Sequence, residues 1–281
     1  MFRKAESSNA ISRGILQVVT LPRFSPESDP GPDFLGLLRH LERSPSWDGI
    51  SVDANQITHG TTVVAIQTLD GVVMSGDRRA TSGHLISHRT IEKVFPADLH
   101  SGVAIAGAAG PAMEMVRLFQ LQIEHYEKVE GRPLSLDGKA NQLSQMLRSN
   151  LPAALQGLGV VPIFAGFDEK LQKGRLFEFD ITGGRYEEKD FAASGSGSLH
   201  ASTVLKLRHN GKLSTDEGID LSIEALFHAA DEDSATGGPD PIRGIYPVVA
   251  VINSSGFVRI EDSELATRTN ALVDKVAGER S

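Results

Sequence analysis

The order of the periodic segments constrains this chain more than any other feature. From residue 61 onward, strand-like and helix-like runs come in blocks and do not alternate one by one. Residues 61–68 are β-branched and strand-like, Asp70-Gly71 is a hairpin turn signal, and residues 72–75 return as a second strand. Residues 101–106 form another short apolar run. Then Ala112, Val116, Phe119, Ile123 and Tyr126 recur at spacings of four and three, as do Ala140, Leu143, Leu147, Leu151 and Ala154. Gly131-Arg132-Pro133 separates these two helical patterns and predicts an antiparallel pair. Strands resume at 160–167, 175–181 and in a run into Ala193, with Gly183-Gly184 as a turn. Helical stretches follow at 198–208 and 215–230, the second opened by the N-cap chemistry of Ser214-Thr215-Asp216-Glu217. Strands at 246–253 and 257–260 flank the turn Ser254-Ser255-Gly256, and a last helix fills the C-terminus. Segregated blocks of this kind predict an α+β layered domain and argue against a doubly wound parallel sheet.

The first 60 residues read differently. They hold five of the 13 prolines, and their charges nearly cancel. One periodic element stands out: Phe34, Leu35, Leu37, Leu38 and Leu41 after Pro32-Asp33, a short amphipathic helix. It has too few apolar positions for a core of its own and needs a partner surface, in this chain or another.

Composition excludes several functions. With 28 Lys and Arg against 36 Asp and Glu, the formal charge of −8 is not the footprint of a nucleic-acid or anionic-membrane binder. Cysteine is absent, which removes disulfide scaffolds, thiolate metal sites and cysteine nucleophiles. No run reaches the roughly 18 apolar residues of a spanning helix, and no signal-peptide core is present, so a cytoplasmic protein is expected. P-loop, dinucleotide, zinc-protease and nucleophile-elbow motifs all fail. His84 and His88 are four apart and could share a helix face, but no carboxylate motif accompanies them, so no metal is expected.

The junction His59-Gly60-Thr61-Thr62-Val63-Val64 carries the chemistry. It sets a glycine between the proline-rich leader and a strand that opens on threonine. A glycine turn before a strand is the plain interpretation. The chemical one is a processing site between Gly60 and Thr61. An N-terminal threonine offers a hydroxyl nucleophile and a free α-amine of pKa roughly 7.7–8, which can act as general base near neutrality. In the uncut chain that nitrogen is an amide without such basicity. Asp77 ends the strand expected to pair with the one starting at Thr61. Lys93, flanked by apolar residues, could pair with Asp77, stay charged and lower the nucleophile's pKa.

The strings G-T-T-V-V-A, S-G-D-R-R-A-T, I-E-K-V-F, I-A-G-A-A-G, S-G-S-G-S and D-S-A-T-G-G-P-D, in this order, resemble a proteasome β subunit of the actinobacterial type, an N-terminal-nucleophile hydrolase. The likeness runs from residue 60 to about 265. It implies a four-layer αββα sandwich of two antiparallel sheets, with residues 1–60 a propeptide and 61–281 the catalytic domain. It implies Thr61 as nucleophile, Asp77 and Lys93 in supporting positions, Ser196 against the threonine amine, and Asp233 near it. Thr236 stands where many members carry serine. Gly107 matches the glycine whose N–H forms the oxyanion hole, a donor typically worth on the order of 100–1,000-fold in rate. Ala80, Ile91, Ile105, Ala109 and Met113 are the implied specificity pocket; their apolar character predicts a preference for an apolar side chain before the scissile bond. The resemblance also implies a threonine endopeptidase without cofactor. It would assemble as heptameric β rings stacked with α-subunit rings and be fed by an ATPase ring with unfolded proteins carrying a ubiquitin-like tag. The alternatives are a non-catalytic structural subunit of the same ring and a simpler two-ring N-terminal-threonine peptidase.

Overall fold

A computed structural model describes residues 60–279. The leader helix expected around residues 34–41 lies outside the described residues.

Alternation along three adjacent strands builds the centre. Strands β1 (Thr62–Gln67), β2 (Gly71–Gly76) and β11 (Val248–Asn253) form a sheet completed by β10 (Phe191–Gly195) and β12 (Gly256–Arg259), in the order β10-β1-β2-β11-β12. All four neighbouring pairs are antiparallel. The second five-stranded sheet runs in sequence order: β5 (Val94–Asp98), β6 (Ser101–Gly107), β7 (Val160–Asp168), β8 (Lys173–Phe179) and β9 (Arg185–Glu188). On β1 and β2, Val63, Ala65, Val72 and Met74 point at Ala104, Ala106, Ile163, Ala165 and Leu176 of the facing sheet. The next residue in each case points the other way, as a period of two requires.

Helices cover both outer faces. Helices α1 (Ala109–Glu130) and α2 (Leu136–Ala153) pack Ala112, Val116, Phe119, Ala140, Leu143 and Leu147 on Val103, Phe164 and Phe177. Phe119 meets Phe164 edge-on, with centroids 5.8 Å apart. Gly131, with φ of 67°, caps α1, and the Ser135 hydroxyl caps α2 by accepting the Gly138 N–H. One π-helical turn (Ala154–Leu158) follows α2. On the other face, α3 (Ser198–Arg208) and α4 (Thr215–Glu232) bury Ala201, Leu205, Leu221, Ala225 and Leu226 against Val64 and Ile66. A capping box between Ser214 and Glu217 starts α4. Helix α5 (Asp262–Glu279) closes this layer through Leu265, packed with Ile219, Ile223 and Val251. The result is the α+β layered domain expected from the block order, in the four-layer αββα form that the resemblance implied.

Besides β5, two elements escaped the periodicity. Residues 80–88 form a small hairpin of β3 (Ala80–Ser82) and β4 (Leu85–His88), and residues 185–188 form β9. The hairpin corrects the notion of a shared helix face: His84 lies in its turn and His88 on β4, both exposed. The reason is plain in the sequence, where the four residues of β4 all face solvent and show no apolar alternation.

Candidate functional site

The site forms where β1 begins, at the end of the sandwich where β2 ends. Gly60 and Thr61 directly precede β1, and both are buried. Asp77 directly follows β2, its neighbour in the ladder. The Asp77 N–H donates to Thr62 O at 3.1 Å, and this extends the β1–β2 pairing by one step. Sheet geometry therefore brings a carboxylate to the start of β1.

Asp77 is fully buried and fully used. Its Oδ1 accepts the Thr62 N–H at 2.8 Å and the Lys93 Nζ at 2.5 Å. Its Oδ2 accepts the N–H groups of Arg79 and Gly237, each at 2.8 Å. Lys93 reaches it from the residue before β5, on the opposite sheet, and is 3 % exposed. The ammonium spends its other two N–H groups on Arg79 O at 2.6 Å and Gly60 O at 3.2 Å. Burial pushes the Lys93 pKa below the ordinary 10.5, while the charge and hydrogen bond of Asp77 work against that shift. With all three donors engaged, Lys93 is placed to supply positive charge; it has no free lone pair with which to take a proton.

Gly60 O also accepts the Thr61 hydroxyl at 2.6 Å. The carbonyl of the Gly60–Thr61 peptide bond is thus held between a hydroxyl and an ammonium.

A second polar group stands on the far side of Thr61. Ser196, just after β10, donates its backbone N–H to Thr61 O at 2.9 Å. Its hydroxyl lies 2.5 Å from Asp233 Oδ2 and 3.3 Å from Thr61 O. Asp233 caps the C-terminus of α4, and Thr236 Oγ1 donates to the same Oδ2 at 2.6 Å. Burial would raise the Asp233 pKa, but the hydrogen bonds from Ser196, Thr236 and the Ala235 N–H outweigh it and hold the carboxyl below its usual value. Arg79 clamps this loop by donating Nη1 to Ser234 O at 2.9 Å.

Beside Thr61 opens a small pocket whose lining includes Ala80, Ile91, Ile105, Ala109 and Met113, all five residues expected there. Ala112 and Glu92 join them, and Glu92 is engaged with Arg259 at 2.6 Å. Ile105 is also a member of the core under α1, so one side chain serves both the pocket and the packing. Gly107 lines the same pocket next to Thr61. Its φ of +115° belongs to glycine, and an added Cβ would collide with the Gly159 carbonyl.

The sequence missed the backbone partners. Arg79 O and the Gly237 N–H are main-chain groups with no side-chain signature, and the Thr62 hydroxyl that links the two polar groups sits on an ordinary strand-forming residue. The signal that was available is the run S-G-D-R-R, in which a carboxylate two residues before Arg79 closes an Asx-type turn onto its N–H.

The arrangement has relatives. A family model for proteasome subunits matches residues 57–242. The chain is similar to the proteasome subunit beta of Acidimicrobium ferrooxidans, with 56 % identity over 248 residues, 88 % of this chain and 91 % of that one. It is 54 % identical to the proteasome subunit beta of Jonesia denitrificans over 84 % of this chain and 76 % of that one. It is 50 % identical to the proteasome subunit beta of Streptomyces griseus over 88 % and 86 %.

Proposed function

Because the chain belongs to the proteasome subunit family, we propose that it is the catalytic β subunit of a 20S core, a threonine endopeptidase that frees its own nucleophile by cutting between Gly60 and Thr61. One observation carries this. The Gly60 carbonyl is held by the Thr61 hydroxyl at 2.6 Å and the Lys93 ammonium at 3.2 Å.

In self-processing, Thr61 Oγ1 attacks the Gly60 carbonyl carbon. The Lys93 ammonium stabilises charge on the carbonyl oxygen, with Asp77 holding it in place. The C–N bond breaks, the Thr61 nitrogen receives the hydroxyl proton, and an ester joins Gly60 to Thr61 Oγ1. Water hydrolyses that ester, leaving a Gly60 carboxylate, a free Thr61 hydroxyl and a free α-amine. The same cycle then runs on substrates. The α-amine accepts the Oγ1 proton and passes it to the leaving amine, and a second ester forms and is hydrolysed. Ser196 and Asp233 stand where that amine is released, and Gly107 supplies the oxyanion N–H. The pocket of Ala80, Ile91, Ile105, Ala109 and Met113 takes an apolar side chain.

Residues 1–60 act as a propeptide on this reading. The mature chain works in β rings stacked with α-subunit rings, and an ATPase ring feeds it unfolded proteins carrying a ubiquitin-like tag. The setting is the cytoplasm. Among the described residues no helix is long and apolar enough to cross a membrane.

The test is the intact mass of the protein after co-expression with its α partner, beside a Thr61→Ala control. Loss of residues 1–60 in the wild type alone is the expected result. A wild-type chain that stays full length in assembled particles makes it a structural subunit instead.

A further inference from the structure

We infer that Thr62, the residue after the nucleophile, is a positioning residue whose hydroxyl sets the Asp233 carboxylate through Thr236. This rests on the reading of Thr61 as nucleophile.

The hydroxyl of Thr62 is completely buried, as is Thr236. Thr62 Oγ1 and Thr236 Oγ1 are 2.5 Å apart. Thr236 Oγ1 is also 2.6 Å from Asp233 Oδ2. A threonine hydroxyl has one proton. An ionised carboxylate only accepts, so the Thr236 proton points to Asp233. The proton between the two threonines therefore belongs to Thr62. Thr62 Oγ1 in turn accepts the Gly197 N–H at 2.9 Å. Every proton in the series has one direction: Gly197 N–H to Thr62, Thr62 to Thr236, Thr236 to Asp233. Hydrogen bonds in such a chain polarise one another, so the donor reaching Asp233 is stronger than an isolated hydroxyl.

The backbone of the same residue holds the other carboxylate. The Thr62 N–H donates to Asp77 Oδ1 at 2.8 Å, and Thr62 O accepts the Asp77 N–H at 3.1 Å. Thr62 thus ties Asp77 and Asp233 to a single point adjacent to Thr61. Any residue but proline supplies the backbone bonds; only a hydroxyl supplies the branch to Asp233. The branch also starts at Gly197, next to Ser196, whose hydroxyl and N–H approach Thr61 and Asp233. The methyl of Thr236 has a use here, since β-branching restricts χ1 and keeps its hydroxyl aimed at both partners.

The experiment compares Thr62→Val, which keeps the shape and loses the hydroxyl, with Thr62→Ser, which keeps the hydroxyl. Each full-length chain is co-expressed with the α partner. Processing is followed by intact mass, and cleavage of a fluorogenic peptide with an apolar residue before the scissile bond is followed against pH. Thr62→Val should lower kcat about tenfold with KM within about twofold. It should also move the acid limb of the kcat/KM profile, which the Thr61 α-amine sets on the proposed reading, to higher pH, because an Asp233 carboxylate left with a weaker donor holds a proton on the nearby amine more strongly. Thr62→Ser should restore both. Should Thr62→Val block processing, slow processing in Val with normal processing in Ser supports the same inference. Equal impairment of Val and Ser, in either reaction, assigns the effect to packing and overturns it, as does an unmoved acid limb in Thr62→Val. A wild type with no activity sensitive to Thr61→Ala overturns the underlying enzyme assignment instead, a result distinct from any of these.

Discussion

Replacing Asp77 with asparagine gives the sharpest test of the site's electrostatics. Asp77 accepts four hydrogen bonds on two oxygens: Thr62 N–H and Lys93 Nζ on Oδ1, Arg79 N–H and Gly237 N–H on Oδ2. Asparagine has one acceptor oxygen and one NH2 group. Whichever way it is turned, the NH2 faces two donors, so two bonds are lost and two N–H groups are opposed. The Lys93 ammonium, 3 % exposed, then keeps only carbonyl partners and no counter-charge. Breaking a buried pair from one side typically costs about 3–5 kcal/mol. In a domain of this size each kcal/mol moves Tm by roughly 2–4 °C, so a fall of about 6–20 °C is expected.

The comparison is best made in a Thr61→Ala background, so that both chains stay the same length, with thermal unfolding followed by circular dichroism. Adding Lys93→Met to Asp77→Asn removes the orphaned charge and should return about 1 kcal/mol or more. In a Thr61-containing chain neither the single nor the double variant should process itself at an appreciable rate. A Tm for Asp77→Asn within about 2 °C of the parent would refute the four-bond account, since that is less than 1 kcal/mol. Self-processing in the double variant would refute the need for positive charge at the Gly60 carbonyl.

Three further outcomes follow from the same geometry. A Cβ on Gly60 would lie 2.6 Å from both Ala235 O and Thr81 Oγ1, so Gly60→Ala must shift the scissile carbonyl; intact mass over time should show processing slowed at least about tenfold, the scale set by small misplacements of reacting groups. Ala109→Leu narrows the apolar pocket beside Thr61, and peptides with a large aromatic side chain before the cut should lose about tenfold or more in kcat/KM relative to peptides with alanine there. The pH dependence has a defined sign at both ends. Asp233 is held below its usual pKa, so its stabilising hydrogen bonds persist above the usual carboxylate range and are lost only as pH falls through its lowered value. Burial lowers Lys93, so between its folded pKa and 10.5 the unfolded chain binds more protons. Stability should rise with pH in that window while activity falls, and titration of Tm beside kcat checks both.

The layers were legible because each rests on a periodicity. Val63 and Ala65 alternate with Val64 and Ile66, and the two sets fill two different cores. The helices at 109–130 and 136–153 announced themselves by apolar spacing. Strands β4 and β9 did not, because strands exposed on both faces carry no alternation to read, and neither did the three-residue β3 nor β5, which Pro96 interrupts. The site divides in the same way. Thr61 could be singled out by its place after a glycine where the proline-rich leader ends, together with the resemblance, Asp77 by the strand pairing expected beside it, and Lys93 as a lone cation flanked by apolar residues. To Asp77 and Lys93, Gly237 and Arg79 present only main-chain atoms, which every residue type but proline carries. Thr62 hid for another reason, since threonine is an ordinary strand former and its position in β1 already explained it.

On the proposed reading, a nucleophile set directly before a central strand explains how one cut can activate the site without disturbing the fold. The ladders that hold β1 to β10 and β2 begin at Thr62 and Val63. Thr61 O is fixed by the Ser196 N–H, and Thr62 O by the Asp77 N–H. None of these bonds passes through Gly60. What Gly60 does hold are the Thr61 hydroxyl and one N–H of Lys93. On the proposed reading, cleavage therefore frees those two groups together, and a buried ammonium that has lost one of three acceptors strongly favours a new one. A substrate carbonyl arriving beside Thr61 restores it. On that reading the uncut chain is its own first substrate, and the geometry at the Gly60 carbonyl is the geometry each later carbonyl must reproduce.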